Sequence, residues 1–108
     1  MKHEFGMMMV DPEPGQIFEE YEPEEYDCIA VDDDCVQAVI ERLKGIKCYW
    51  HSLDRTEVGL AYHGITLIPP ESVGEMIEAV KDVSAMERLK EMLVVAKRER
   101  KFVIHFGV

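Results

Sequence analysis

The chain has 108 residues, of which 47% are apolar and 31% charged, the profile of one folded domain with a modest core and not of a disordered chain. Its net charge is −10, and residues 1–34 hold twelve acids against the single base Lys2, while the rest of the chain is almost neutral. This layout argues against nucleic-acid binding, which needs clustered Lys and Arg, and no apolar run approaches the roughly 18 residues needed to span a bilayer.

"EFGMMMV" (4–10) reads as a strand. It is too short for a signal-peptide core and no small-residue cleavage site follows, so the chain is expected to be the mature one. "DPEPGQ" then breaks the backbone, because Pro12 and Pro14 cannot donate and Gly15 permits a turn. "IFEEYEPEEY" (17–26) reads as an irregular acidic segment, with Phe18, Tyr21 and Tyr26 pinning it to the body.

"DCIAV" (27–31) reads as a buried strand. A helix to about residue 44 follows, with Val36, Val39, Ile40 and Leu43 on one face and Gly45 placed for a left-handed stop. "IKCYWHSL" alternates as a strand, "DRTE" turns, and "VGLAYHGITLI" (58–68) reads as one long strand that bends at Gly64. Ser72 and Ser84 each begin a capping-box pattern, so they are the expected N-caps of two helices, or of one helix with a break. "KFVIHFGV" closes the chain as a strand.

From residue 27 the order is β-α-β-β-α(α)-β. The expectation is one domain, residues 1–108: an acidic N-terminal strand and extended segment (1–26), then an α+β body (27–108). The fold class is an α+β, ferredoxin-like sandwich with helices on one face of the sheet. The extra N-terminal strand is expected on an edge or on a partner subunit. The alternative is another small α+β sheet with a different strand order.

Asp32, Asp33 and Asp34 follow the first body strand. A strand ending in Asp-x-Asp resembles the start of haloacid-dehalogenase-like phosphatases, in which the first Asp is a nucleophile and the second a general acid beside Mg²⁺. Asp32 and Asp34 have that spacing, but Cys35-Val36 stands where Gly-Thr is expected. The chain is also too short for that family's later motifs. The structural role is preferred: Asp33 or Asp34 as N-cap, with acids at the positive end of the helix dipole.

His51, His63 and His105 each fall in or at the end of an expected strand. By alternation they oppose Trp50, Tyr62 and Phe106. If the apolar residues face the helices, the three histidines share the open sheet face, as candidates for a small ligand or a metal. Cys28, Cys35 and Cys48 are odd in number and lie in apolar stretches, which suggests free core thiols in a reducing cytoplasm. The element order also resembles RNA-recognition modules, but the basic and paired aromatic pattern is missing.

No nucleophile, cofactor motif or phosphate loop accompanies the histidines, so an enzyme is the less favoured reading, no catalytic residue is assigned and no cofactor is expected. The leading expectation is a small acidic cytoplasmic module that binds a protein partner or its own copy. Its candidate contacts are Phe18, Glu19, Glu20, Tyr21, Glu22, Glu24, Glu25 and Tyr26 on the segment, with Tyr49 on the sheet.

Overall fold

The computed structural model describes all 108 residues. Six strands form one antiparallel sheet: β1 (Lys2–Met7), β2 (Ile29–Asp32), β3 (Lys47–Trp50), β4 (Thr56–Val58), β5 (Ile65–Ile68) and β6 (Val103–Phe106). Their spatial order is β2-β1-β6-β5-β3-β4. Three helices pack on the sheet: α1 (Asp33–Leu43), α2 (Pro70–Val80) and α3 (Glu87–Glu99). No helix is long and apolar enough to cross a membrane.

The α+β class stands, but the strand order differs from that of a plain ferredoxin-like sandwich. Strand β1 is not on an edge. It pairs Phe5 with Ile29 of β2 on one side and with His105 of β6 on the other. Between β5 and β6 the chain makes two helices, not one. A single helix returns the chain to the starting end of the sheet, so the next strand runs parallel. A helical hairpin crosses the sheet twice, so the next strand runs antiparallel, as β6 does beside β5. Residues 58–68 do not form one strand either. Gly59, with φ of +78°, ends β4, and a turn through Ala61 to Gly64 leads into β5.

The helices cover the face that carries Phe5, Val31, Cys48, Ile68 and Val103. From α1 come Val36, Val39 and Leu43, spaced so that all point inward; from α3 come Leu89, Leu93 and Ala96. Burying a leucine of this kind stabilises the fold by about 1.5–3 kcal/mol.

The opposite face is not open. Met8, Ile65, Leu67, Ile104 and Phe106 form a second core there, and Phe18, Tyr26 and Cys28 of the N-terminal region pack onto it. Gly6 permits the close approach. A Cβ at Gly6 would lie 2.7 Å from Tyr26 Cβ and 2.8 Å from Cys28 Sγ. The segment from Met8 to Asp27 thus forms a third layer over a sheet whose two faces are both buried.

The helix ends depart from their expected caps. Asp32 is the N-cap of α1, and Asp33 and Asp34 sit in its first turn. Proline fixes the start of α2: Pro69 is the cap and Pro70 the first helical residue. That places Ser72 inside the helix, where its hydroxyl donates to the Lys47 carbonyl at 2.7 Å. Ser84 opens a short 3-10 turn before α3 and caps nothing. Gly45 is not left-handed. The left-handed helix stop is Arg100 after α3, with φ of +56°.

Candidate functional site

Three adjacent strands and the first turn of α1 bring a buried polar chain together. Residues paired across antiparallel strands point to one face, so Phe5, His105 and Thr66 line up across β1, β6 and β5 on the helix side. His3, two residues from Phe5, joins them. His3 Nδ1 is 2.9 Å from His105 Nε2, and His3 Nε2 is 2.9 Å from Asp33 Oδ1. His105 Nδ1 is 3.0 Å from Thr66 Oγ1, which accepts from the Ala61 N–H at 2.8 Å. The side chain of Tyr62 donates to Asp33 and accepts from Gln37.

The donor inventory orients this chain. Asp33, as a carboxylate, only accepts, so His3 Nε2 carries a hydrogen and Nδ1 of a neutral His3 accepts from His105 Nε2–H. His105 Nδ1 then accepts from the Thr66 hydroxyl. Every link has a donor and an acceptor, and no buried side-chain polar atom in the protein lacks a partner. His3, His105 and Thr66 are fully buried. Burial, and then the neighbouring His3, push His105 down to about 3, so it stays neutral. The hydrogen bond from Tyr62, and then that from His3, hold Asp33 below the usual carboxylate range.

This answers the question of the three aspartates. Asp32 stands at the N-cap position without a side-chain cap bond, Asp33 anchors the histidine pair, and Asp34 is exposed. Neither His3 nor His105 lines any of five surface clefts, and both are fully buried. The chain is therefore a closed core network.

The three expected histidines do not share a face. His105 lies on the helix side, in register with Phe5 and Thr66; β6 is buried on both sides, so no polar-apolar contrast in its sequence marks its faces. His3 replaces its two expected companions. The apolar run 4–10 does not reveal it, because the strand begins two residues earlier; its spacing of two from Phe5 is the signal that finds it. No three His, Cys, Asp or Glu side chains are arranged to hold a metal ion.

His51 and His63 meet elsewhere, in a cleft of about 250 Å³ on the segment side, with Glu19, Tyr21, Gly64 and Phe106. His51 has a left-handed backbone with φ of +65°, a conformation to which His is better suited than most residues. Three bonds hold it there. Its N–H donates to the Ile65 carbonyl at 3.0 Å, its carbonyl accepts from the Phe18 N–H at 2.7 Å, and its Nδ1 is 2.9 Å from the Phe18 carbonyl. His63 is exposed, with Nδ1 3.3 Å from the Val108 carbonyl.

The acidic segment is outside this chemistry. Glu19, Glu20, Glu22, Glu24 and Glu25 are exposed, and none of the carboxylates from Asp11 to Glu25 pairs with a Lys, Arg or His. From the basic stretch 97–101, the Lys101 amine donates to the Met9 carbonyl at 3.3 Å, and no ion pair joins that stretch to the segment. Phe18 and Tyr26 are half-buried anchors, as is Tyr49 at the far end of the second core. Tyr21 is 61% exposed, rests edge-on against Phe106 at 5.6 Å, and donates its hydroxyl hydrogen to Glu4. Met9, Val10 and Ile17 are at least 64% exposed beside these carboxylates. Met9 and Val10 line a groove of about 420 Å³ with Met8, Phe18 and Tyr26, rimmed by Asp11, Glu13 and Glu25.

Cys28 and Cys35 are half-buried and Cys48 is buried, all as free thiols. Burial pushes Cys28 and Cys48 up to about 12. No protein-family profile, curated protein or solved structure matches this chain.

Proposed function

We propose that the protein is a non-catalytic binding module that captures a basic, amphipathic segment of another protein along its acidic layer, residues 8–27. The observation that carries this reading is the pairing of unneutralised carboxylates with exposed Met9 and Val10 around one groove, with exposed Ile17 on the same segment. Carboxylates steer a basic partner to the surface, and apolar side chains in a partly desolvated groove then supply contact area. The layer is also fixed in advance. Phe18 and Tyr26 anchor it on the second core, and one backbone bond and the His51 ring tie Phe18 in place, so little ordering remains to oppose binding.

The test is the affinity of a peptide alternating Arg with Leu, against one alternating Arg with Gly, over a range of salt. The reading expects tighter binding of the Arg-Leu peptide, weakening as salt rises. Reversing Glu19, Glu20, Glu22, Glu24 and Glu25 to lysine should abolish it. Equal binding of both peptides, or no effect of the reversals, would reject it.

A further inference from the structure

We infer that the cleft at His51 and His63 receives an arginine side chain of the partner; this rests on the protein-binding reading above and adds the residue that is recognised. The donors and acceptors of the cleft point to it. His51 has only the Phe18 carbonyl facing Nδ1, so Nδ1 carries the hydrogen and the neutral ring offers Nε2 as an acceptor. His63 is fixed in the same sense by the Val108 carbonyl. Neither Nε2 has a partner within the chain. Tyr21 has its hydroxyl hydrogen committed to Glu4, and Glu19, unpaired, only accepts.

Three backbone donors at the turn are already engaged. The Gly64 N–H bonds the Ala61 carbonyl, the Gly107 N–H bonds the Gly64 carbonyl, and the His51 N–H bonds the Ile65 carbonyl. The side chains of the wall therefore present acceptors and a carboxylate. An anion would face the Glu19 carboxylate and no free side-chain donor. A ligand must bring several donors and a positive charge.

Shape narrows the choice. The cleft is about 250 Å³, and Tyr21 and Phe106 form an aromatic side to it. A guanidinium carries five N–H donors in one plane and stacks on aromatic faces, whereas an ammonium is a compact point charge. Gly64 keeps the cleft usable. A Cβ there would lie 2.6 Å from His51 Nε2 and would block the acceptor.

The test follows the imidazole nitrogens of the full chain by long-range ¹H–¹⁵N correlation NMR. The probes are N-acetyl-arginine N-methylamide and its neutral citrulline analogue. We expect saturable shifts at Nε2 of both His51 and His63 with the arginine amide, and binding of the citrulline amide weaker by about tenfold or more, since ionised hydrogen bonds are roughly twice as strong as neutral ones. Gly64→Ala should abolish the His51 shift. Glu19→Gln, at an exposed position that leaves the fold alone, should weaken arginine binding by about tenfold. Equal binding of the two amides, or no saturable shift at either histidine, overturns the inference. So does stoichiometric binding of zinc chloride at these nitrogens with no response to arginine. Unchanged salt-dependent binding of the Arg-Leu peptide in His63→Phe would remove the arginine site while leaving the groove reading intact.

Discussion

His3 Nδ1 and His105 Nε2 lie 2.9 Å apart in the core, although 102 residues separate them in the chain. This bond joins the central strands β1 and β6, and Asp33 and Thr66 complete it at either end. Since every member is satisfied only by its neighbours, breaking one link strands the next group without water. His105→Ala should therefore destabilise the fold by about 3 kcal/mol, through a cavity and an unpaired His3 nitrogen. Replacing His3, His105 and Thr66 together by Leu, Leu and Val should cost less than the three single changes summed. Denaturant melts of all four variants check this; additive losses would contradict a coupled network.

The same chain makes stability depend on pH. The unfolded protein protonates His105 near its ordinary value of 6.5, but the folded protein only at about 3. Its contribution is fully present above the ordinary value and is lost as pH falls toward the folded one. Asp33, also held low when folded, acts in the same direction at the acid end. The melting temperature should fall between pH 7 and pH 4. The unpaired carboxylates of the N-terminal segment act oppositely, because acid relieves their mutual repulsion. The Leu, Leu, Val variant separates the two effects: its acid sensitivity should be smaller. Equal sensitivity in both proteins would contradict the assignment.

Gly6 is where the N-terminal layer touches the sheet most closely. Gly6→Ala places a methyl group 2.7 Å from Tyr26 Cβ and its carbonyl, so chain must shift. A cost of about 1–3 kcal/mol is expected, with faster amide exchange in the layer than in the helices. Gly15 has nothing within 4 Å of such a methyl and a left-handed backbone, so Gly15→Ala reports backbone strain alone. A larger loss at Gly15 than at Gly6 would contradict the packing account.

Cys28 and Cys48 should resist alkylation at pH 8. Both thiols are pushed up to about 12 by burial, so the reactive thiolate is scarce. Mass spectrometry after brief iodoacetamide treatment should find both unmodified until denaturant is added. Rapid native labelling of Cys48 would mean that the helix layer opens readily.

The local elements were legible in the residues; their assembly was not. The spacing of Val36, Val39 and Leu43 marks α1 to within a residue or two, because a helix face is a short-range pattern. The place of β1 is a long-range fact. Nothing in "KHEFGM" says that it pairs on both edges. His105 was misplaced because β6 has no polar face to contrast with its apolar one, and the layer that removes that contrast lies some eighty residues away in sequence. The capping boxes failed for a nearer reason. Pro69 and Pro70 fix the start of α2 ahead of Ser72, and a proline at the first helical position outweighs a serine two residues on. The acidic, aromatic segment was legible as an anchored strip, since Phe18 and Tyr26 do pack on the sheet.

The most direct measurement is the footprint of the Arg-Leu peptide on the ¹⁵N-labelled protein. The account predicts that saturable backbone shifts concentrate in residues 8–27 and the turn at His51, shrink with salt, and leave α2 and α3 unmoved. A footprint on the exposed faces of α2 and α3, or on the β4 edge, with the acidic layer silent, would contradict it.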